Sequence, residues 1–113
     1  MTFDELFDNG EYNLKSNNCL HFINRVWRWR YGHATGITTA GLALNRARFC
    51  RLAGPENYCL ALFTNLADSH IGVYIEGSIL HFDQHGVQFV PLHTVLQHYR
   101  SVRFYHEKAI CNS

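Results

Sequence analysis

The sequence predicts an α+β fold in which N-terminal helices pack on an antiparallel β-sheet. Two observations lead to this prediction. Apolar residues recur at helical spacing in the first half of the chain, and from residue 58 onward they alternate with a period of two, as in strands. The chain has 113 residues, of which 47% are hydrophobic and 17% charged, so we expect one domain with a single core over residues 1–113.

The first long helix is predicted to begin at Cys19 and to end near Tyr31. Its apolar face is formed by residues at positions i, i+3, i+4, i+7 and i+8, namely Cys19, Phe22, Ile23, Val26 and Trp27. Asn18 is a residue type that caps helix starts, and Gly32 is typical of the position just past a helix end. The thiol therefore lies at the positive end of the helix dipole, which favours the thiolate and predicts a depressed pKa for Cys19.

The other elements follow from caps, turns and periodicity. A helical turn is expected at residues 3–7 and a second helix at about residues 40–53, before the helix breakers Gly54 and Pro55. Strands are expected at 58–64, 70–75, 78–82 and 87–90, followed by a short helix at 91–99 and a strand at 101–105. This order of elements indicates an antiparallel meander, and the tail from His106 is expected to be loosely held.

Charge and hydropathy argue against several classes of protein. The formal net charge of +1 gives no general attraction to nucleic acid. No apolar run is long enough to span a bilayer, so we expect no membrane insertion. The acidic N-terminus lacks the basic start of a secretory signal peptide, so we expect synthesis without an export signal.

The four cysteines stand at positions 19, 50, 59 and 111. None belongs to a C-x-x-C pair, which argues against a zinc ribbon. A disulfide framework is not expected for a chain with ample core and no export signal. We interpret Cys50, Cys59 and Cys111 as small apolar residues or a terminal thiol, which leaves Cys19 as the candidate nucleophile.

A predicted hairpin brings two histidines together. If Glu76 and Gly77 form its turn, the register makes His70 and His81 diagonal neighbours on one face of the two strands. Gly72, opposite His81, leaves room for an imidazole to lie over the strand. The two rings are therefore expected to lie within hydrogen-bonding distance.

A thiol and two neighbouring histidines match the logic of nucleophile, base and orienting residue. Cys19 would be the nucleophile, His70 the base and His81 the residue that orients the base. Asp83 is a competing orienting residue, because the same register places it opposite His70. A metal site formed by His70, His81 and His85 remains an alternative, but its spacing is not typical of such sites, and we expect no metal and no cofactor.

The hairpin sequence His-Ile-Gly-Val-Tyr-Ile-Glu-Gly-Ser-Ile-Leu-His, residues 70–81, resembles the His-(Val/Ile)-Gly-(Ile/Val)-Tyr…His hairpin of NlpC-type cysteine peptidases. These are papain-like enzymes that cut peptidoglycan stem peptides. Residues 18–27 resemble the nucleophile helix of short versions of this family found in tailed bacteriophages, where a histidine often stands two residues after the cysteine. The resemblance covers about residues 12–105.

The resemblance implies a papain-like fold of the NlpC type, with Cys19 as nucleophile, His70 as base and His81 as third catalytic residue. It also implies that the backbone N–H of Cys19 helps to form an oxyanion hole and that Tyr12 stands near it. The chain departs from the family pattern in having Asn18 where an aspartate usually precedes the cysteine. This departure leaves the triad intact.

The function implied is that of a cysteine endopeptidase or amidase cleaving peptidoglycan stem or crosslink peptides. The likeness to phage proteins implies a tail-tip component of the virion that is made in the host cytoplasm and acts in the periplasm, with tail hub or tip proteins as partners. One alternative is a non-catalytic or latent tail-tip module that docks on hub proteins. Another is an acyltransferase or deamidase that uses the same triad.

Overall fold

The computed structural model describes residues 1–37 and 48–111, and these residues form an α+β fold. A 3-10 turn at Asp4–Phe7 precedes helix α1 (Cys19–Tyr31), and the short helices are α2 (Leu92–Leu96) and α3 (Lys108–Cys111). The strands are β1 (Phe49–Arg51), β2 (Cys59–Thr64), β3 (Ser69–Ile75), β4 (Ser78–Asp83), β5 (Gly86–Pro91) and β6 (Ser101–Glu107). None of the helices in the described ranges is long and apolar enough to cross a membrane.

The six strands form one antiparallel sheet in the order β1-β6-β2-β3-β4-β5. Strands β2 to β5 form the predicted meander, and the turn at residues 76–77 pairs Ile75 with Ser78 as the hairpin register predicted. Strand β6 does not continue the meander. It returns to the other side of β2, where Leu60 lies opposite Tyr105, and separates β2 from β1.

Helix α1 has the predicted boundaries because both ends are capped locally. The Asn18 side chain accepts hydrogen bonds from the backbone N–H groups of Leu20 and His21. Gly32 ends the helix in the left-handed conformation, with φ of 83°. The buried residues of α1 pack on one face of β3 and β4, and they are Phe22, Ile23, Val26 and Trp27.

A second apolar cluster covers the opposite face of the sheet. It contains Cys59, Ala61 and Phe63 of β2, Ile79 of β4, Val95 of α2 and Phe104 of β6. Burial on both faces explains why β2 is an almost continuous apolar run and not an alternating one. The histidine-bearing face of the hairpin is therefore covered by protein.

The predicted second helix at residues 40–53 is wrong over its last part. Residues 38–47 lie outside the described ranges, but Phe49–Arg51 form strand β1 and pair with β6. Burial falls steadily along this strand, from Phe49 through Cys50 to Arg51, as at the edge of a sheet. Pairing with β6, which is distant in sequence, stabilises the strand and leaves no signal in the local pattern.

The expectation of a loosely held tail from His106 is also wrong for residues 106–111, whereas residues 112–113 lie outside the described ranges. His106 belongs to β6 and is only 3% exposed. Beyond it, Cys111 forms a disulfide with Cys50, which corrects the expectation that the chain has no disulfide. The pairing of β1 with β6 brings these two cysteines close together, although 61 residues separate them in sequence.

Candidate active site

The Cys19 thiol lies at the first residue of α1 and is partly buried. Burial raises its pKa, whereas the backbone N–H groups of Ile71, Leu20 and Cys19 itself lower it. The effect of burial is the largest, so the expectation of a depressed thiol pKa is wrong for this structure. The contact with the N–H of Ile71 places the sulfur beside the residue that follows His70.

The rings of His70 and His81 meet, as the hairpin register predicted. Nε2 of His70 and Nδ1 of His81 lie 2.9 Å apart, and the rings are edge to face with centroids 5.0 Å apart. Gly72 is needed for this approach, because a Cβ there would lie 3.3 Å from Cβ of His81 and 2.6 Å from Cγ2 of Ile79. The pair is buried, with His70 9% and His81 5% exposed.

Burial keeps both imidazoles neutral at ordinary pH. The pKa of His70 is lowered to about 4, chiefly by burial and then by the neighbouring charge of His81. The carboxylates of Asp83 and Asp68 act in the opposite direction and raise it. Burial also lowers the pKa of His81. Together with the raised pKa of Cys19, these shifts describe a resting site that holds a neutral thiol and two neutral imidazoles.

Tyr99 covers the ring of His70, and sequence reasoning did not single it out. Its ring stacks on His70 with an interplanar angle of 10° and a centroid distance of 5.9 Å. Burial raises its pKa, and the charges of Asp68, Cys19 and Asp83 add to the effect. Tyr99 follows α2 in the chain, and no local motif marks it, because its role depends on α2 folding over the sheet.

The thiol and the histidine pair approach the site from opposite faces of the sheet. Helix α1 covers one face of β3 and β4, whereas the ring of His70 contacts Phe63 and Tyr99 on the other face. The paired part of the β3–β4 ladder reaches from the turn only to Val73 opposite Leu80. The sulfur of Cys19, which contacts the backbone N–H of Ile71, and the two histidines therefore lie at the same end of the hairpin, where the two strands are no longer paired.

Tyr12 lies at this same end of the sheet. Its ring packs on Phe82, with centroids 5.4 Å apart. Burial raises the pKa of Tyr12, and the charges of Cys19 and Asp83 raise it further. Tyr12 therefore lies within range of the charges of both Cys19 and Asp83.

The pairing of β3 with β4 ends at Val73 opposite Leu80, so the predicted pairing of Asp83 with His70 is not observed directly. Asp83 pairs with Gly86 in the β4–β5 hairpin, and its Oδ1 accepts a hydrogen bond of 2.7 Å from the backbone N–H of His85. The hydrogen-bond partner of His70 is His81. The negative charge of Asp83 raises the pKa values of both His70 and His81. Burial has the larger effect and lowers both values.

Two clefts lie near the turn between β4 and β5, and the histidine pair lines the first of them. The first, of about 270 Å³, lies between β4, β5 and α2, and its lining includes His81, Gln88 and Tyr99. The other, of about 450 Å³, includes Tyr12 and shares His85 with the first. Within residues 1–37 and 48–111, no three His, Cys, Asp or Glu side chains are placed to hold a metal ion.

The sequence matches no protein-family model and no curated protein. The assignment of function therefore depends on the geometry of the site and on the motifs in the sequence.

Proposed function

We propose that the protein is a cysteine hydrolase with a papain-like fold of the NlpC type, which cleaves amide bonds in peptidoglycan stem or crosslink peptides. The observation that carries the proposal is the hydrogen bond between His70 and His81, next to the helix start that bears Cys19. A buried histidine pair beside a thiol at a helix N-terminus fits the requirements of nucleophilic catalysis. The hairpin motif of residues 70–81 supports the same assignment.

In the proposed reaction, Nδ1 of His70 takes the thiol proton of Cys19, because Nε2 is bonded to His81. The sulfur attacks the amide carbon, a C–S bond forms, and the carbonyl electrons move to oxygen. The C–N bond then breaks while His70 gives its proton to the leaving amine. A water molecule deprotonated by His70 attacks the thioester, which releases the carboxylic acid and restores the thiol.

The negative oxygen of the intermediate would form near the N-terminus of α1. The backbone N–H of Cys19 is the first donor available there, and the helix dipole favours negative charge at this end. Tyr12 adds a hydroxyl near the same point, as its electrostatic link to Cys19 indicates. One such donor contributes roughly 10²–10³-fold to the rate in enzymes of this kind.

A latent or non-catalytic tail-tip module is the second candidate, and the resting protonation state favours it. A raised pKa at Cys19 and a lowered pKa at His70 oppose transfer of the proton from sulfur to nitrogen. A phage tail hub or tip protein that rearranges the site would remove this barrier. In that case the protein would travel in the virion tail and act on the cell wall in the host periplasm.

A digest of purified peptidoglycan, read by mass spectrometry, tests the proposal. New free peptide ends are expected with the wild type and with Cys59→Ala, a control that removes the other free cysteine. None are expected with Cys19→Ala. Equal products from Cys19→Ala would contradict the assigned nucleophile. If the wild type gives no products either alone or within assembled virions, the non-catalytic module is the correct interpretation.

A further inference from the structure

The second ring nitrogen of His81 lacks a partner. Nε2 of His81 is buried and makes no hydrogen bond to the part of the chain that the structure describes, whereas Nδ1 faces His70 at 2.9 Å. Buried polar atoms are almost always paired, because leaving one without a partner destabilises the folded state. A partner for Nε2 is therefore expected when the site is in its working state.

The proposed chemistry decides what kind of partner is needed. For Nδ1 of His70 to accept a proton from the thiol, the proton of the neutral ring must sit on Nε2. That N–H then donates to Nδ1 of His81, so His81 carries its own proton on Nε2. The alternative tautomer pair would leave a proton on Nδ1 of His70 and abolish its role as base. The missing partner must therefore be a hydrogen-bond acceptor.

Gln88 is the side chain best placed to supply that acceptor. It lies directly opposite His81 in the β4–β5 ladder, and side chains of such pairs share one face of the sheet. Both residues line the cleft between β4, β5 and α2. The carboxamide oxygen of glutamine accepts hydrogen bonds and carries no charge, so it selects the Nε2–H form without attracting a second proton to the ring.

We propose that Gln88 is a positioning residue, whose side-chain oxygen accepts the Nε2–H of His81 and thereby fixes the tautomers of both histidines. This assignment of the tautomers rests on the proposed function, because the need for a base at Nδ1 of His70 fixes them. Asp83 also lines this cleft, but its charge raises the pKa of His81 and so favours a second proton on the ring, which the uncharged carboxamide of Gln88 does not. Tyr99 stacks on the face of the His70 ring, and this stacking uses neither of the ring nitrogens. The arrangement extends the proposed triad by one residue.

Nitrogen-15 NMR of the histidine side chains at neutral pH tests the proposal without any substrate. The wild type is expected to show His81 as the Nε2–H tautomer, with its signals assigned by their loss in His81→Asn. Gln88→Met keeps the length of the side chain and removes the acceptor, so a mixture of tautomers is expected at His81. Gln88→Glu retains an acceptor and should keep a proton on Nε2 of His81, while its negative charge also favours a second proton on the ring. Gln97→Met, at the exposed end of α2, is the matched control.

Unchanged His81 signals in Gln88→Met would overturn the proposal, and so would a wild-type His81 protonated on Nδ1. If Gln88→Met fails to fold, Gln88→Ala takes its place in the same measurement. In the peptidoglycan digest, Gln88→Met should lower kcat by about tenfold with little change in KM, and Gln88→Glu should retain most of the activity. A wild type that is inactive both alone and within assembled virions would contradict the proposed function, whereas the NMR spectra test the tautomer of His81 separately.

Discussion

At the scale of single residues, the site depends on Gly72, because the absence of a side chain there lets β4 approach β3 closely. Gly72 lies on β3 between His70 and the paired part of the hairpin. Its missing Cβ leaves the space that Ile79 and His81 occupy from the neighbouring strand. A glycine in the middle of a strand normally weakens it, so its use here indicates that close approach of β4 matters more than strand propensity.

Replacing Gly72 with alanine should destabilise the protein by about 1–3 kcal/mol and weaken the hydrogen bond between the two histidines. The added Cβ would lie 2.6 Å from Cγ2 of Ile79 and 3.2 Å from the backbone oxygen of Leu80, so the strands must move apart. Urea unfolding measures the loss of stability. Gly54→Ala is the control, because a Cβ added at Gly54 would meet no atom within 4 Å. Equal stability of Gly72→Ala and Gly54→Ala would contradict this account.

At the scale of elements, the parts that sequence predicts well are those whose causes are local. Helix α1 begins and ends as predicted because Asn18 caps its start and Gly32 its end. The hairpin register follows from the two-residue turn at residues 76–77, which fixes the pairing of Ile75 with Ser78. The meeting of His70 and His81 could therefore be derived from sequence.

The elements that sequence misses depend on contacts between distant parts of the chain. Strand β1 exists because it pairs with β6, and the disulfide between Cys50 and Cys111 depends on that same pairing. The stacking of Tyr99 on His70 requires α2 to fold over the sheet. The prediction of a lowered pKa for Cys19 was wrong for a related reason. The effect of the helix dipole can be predicted from sequence, whereas burial by the rest of the fold, which raises the pKa, cannot.

At the scale of the whole molecule, buried histidines link folding to pH. His70, His81 and His106 are at most 9% exposed, and burial lowers the pKa of each. His106 is held neutral by its surroundings, because its Nδ1 accepts the backbone N–H of Glu107 and its Nε2 faces the hydroxyl of Tyr31 at 3.0 Å. Protonation of these rings in acid therefore favours the unfolded chain.

Stability should fall as the pH drops from neutral to about 4, and His70 should account for a large share. Its pKa lies at about 4 in the folded protein against 6.5 for an ordinary histidine. Between those values the unfolded chain binds a proton that the folded one does not, so stabilisation present above pH 6.5 is lost as the pH approaches 4. The difference between these two pKa values corresponds to about 3 kcal/mol of the free energy of unfolding.

Urea unfolding of wild type, His70→Gln and His85→Gln at neutral pH and near pH 4 measures this dependence. His70→Gln should lose less stability on acidification than the wild type. His85→Gln, which removes an exposed histidine, is the matched control. A His70→Gln variant as sensitive to acid as the wild type would show that His70 is not buried as a neutral ring.

The central claim is that Cys19 and His70 act as one site although they approach from opposite faces of the sheet. The most direct measurement is the rate of alkylation of Cys19 by iodoacetamide at neutral pH, followed by mass spectrometry in wild type and His70→Gln, with His85→Gln as control. Cys59 serves as an internal reference, because it is buried and its pKa is raised to about 11.

If His70 takes the thiol proton, the rate at Cys19 should fall by about tenfold or more in His70→Gln and stay unchanged in His85→Gln. Cys59 should react far more slowly than Cys19 in all three proteins. Equal rates at Cys19 in the wild type and in His70→Gln would contradict the account, because the thiol and the imidazole would then be separate features of the fold.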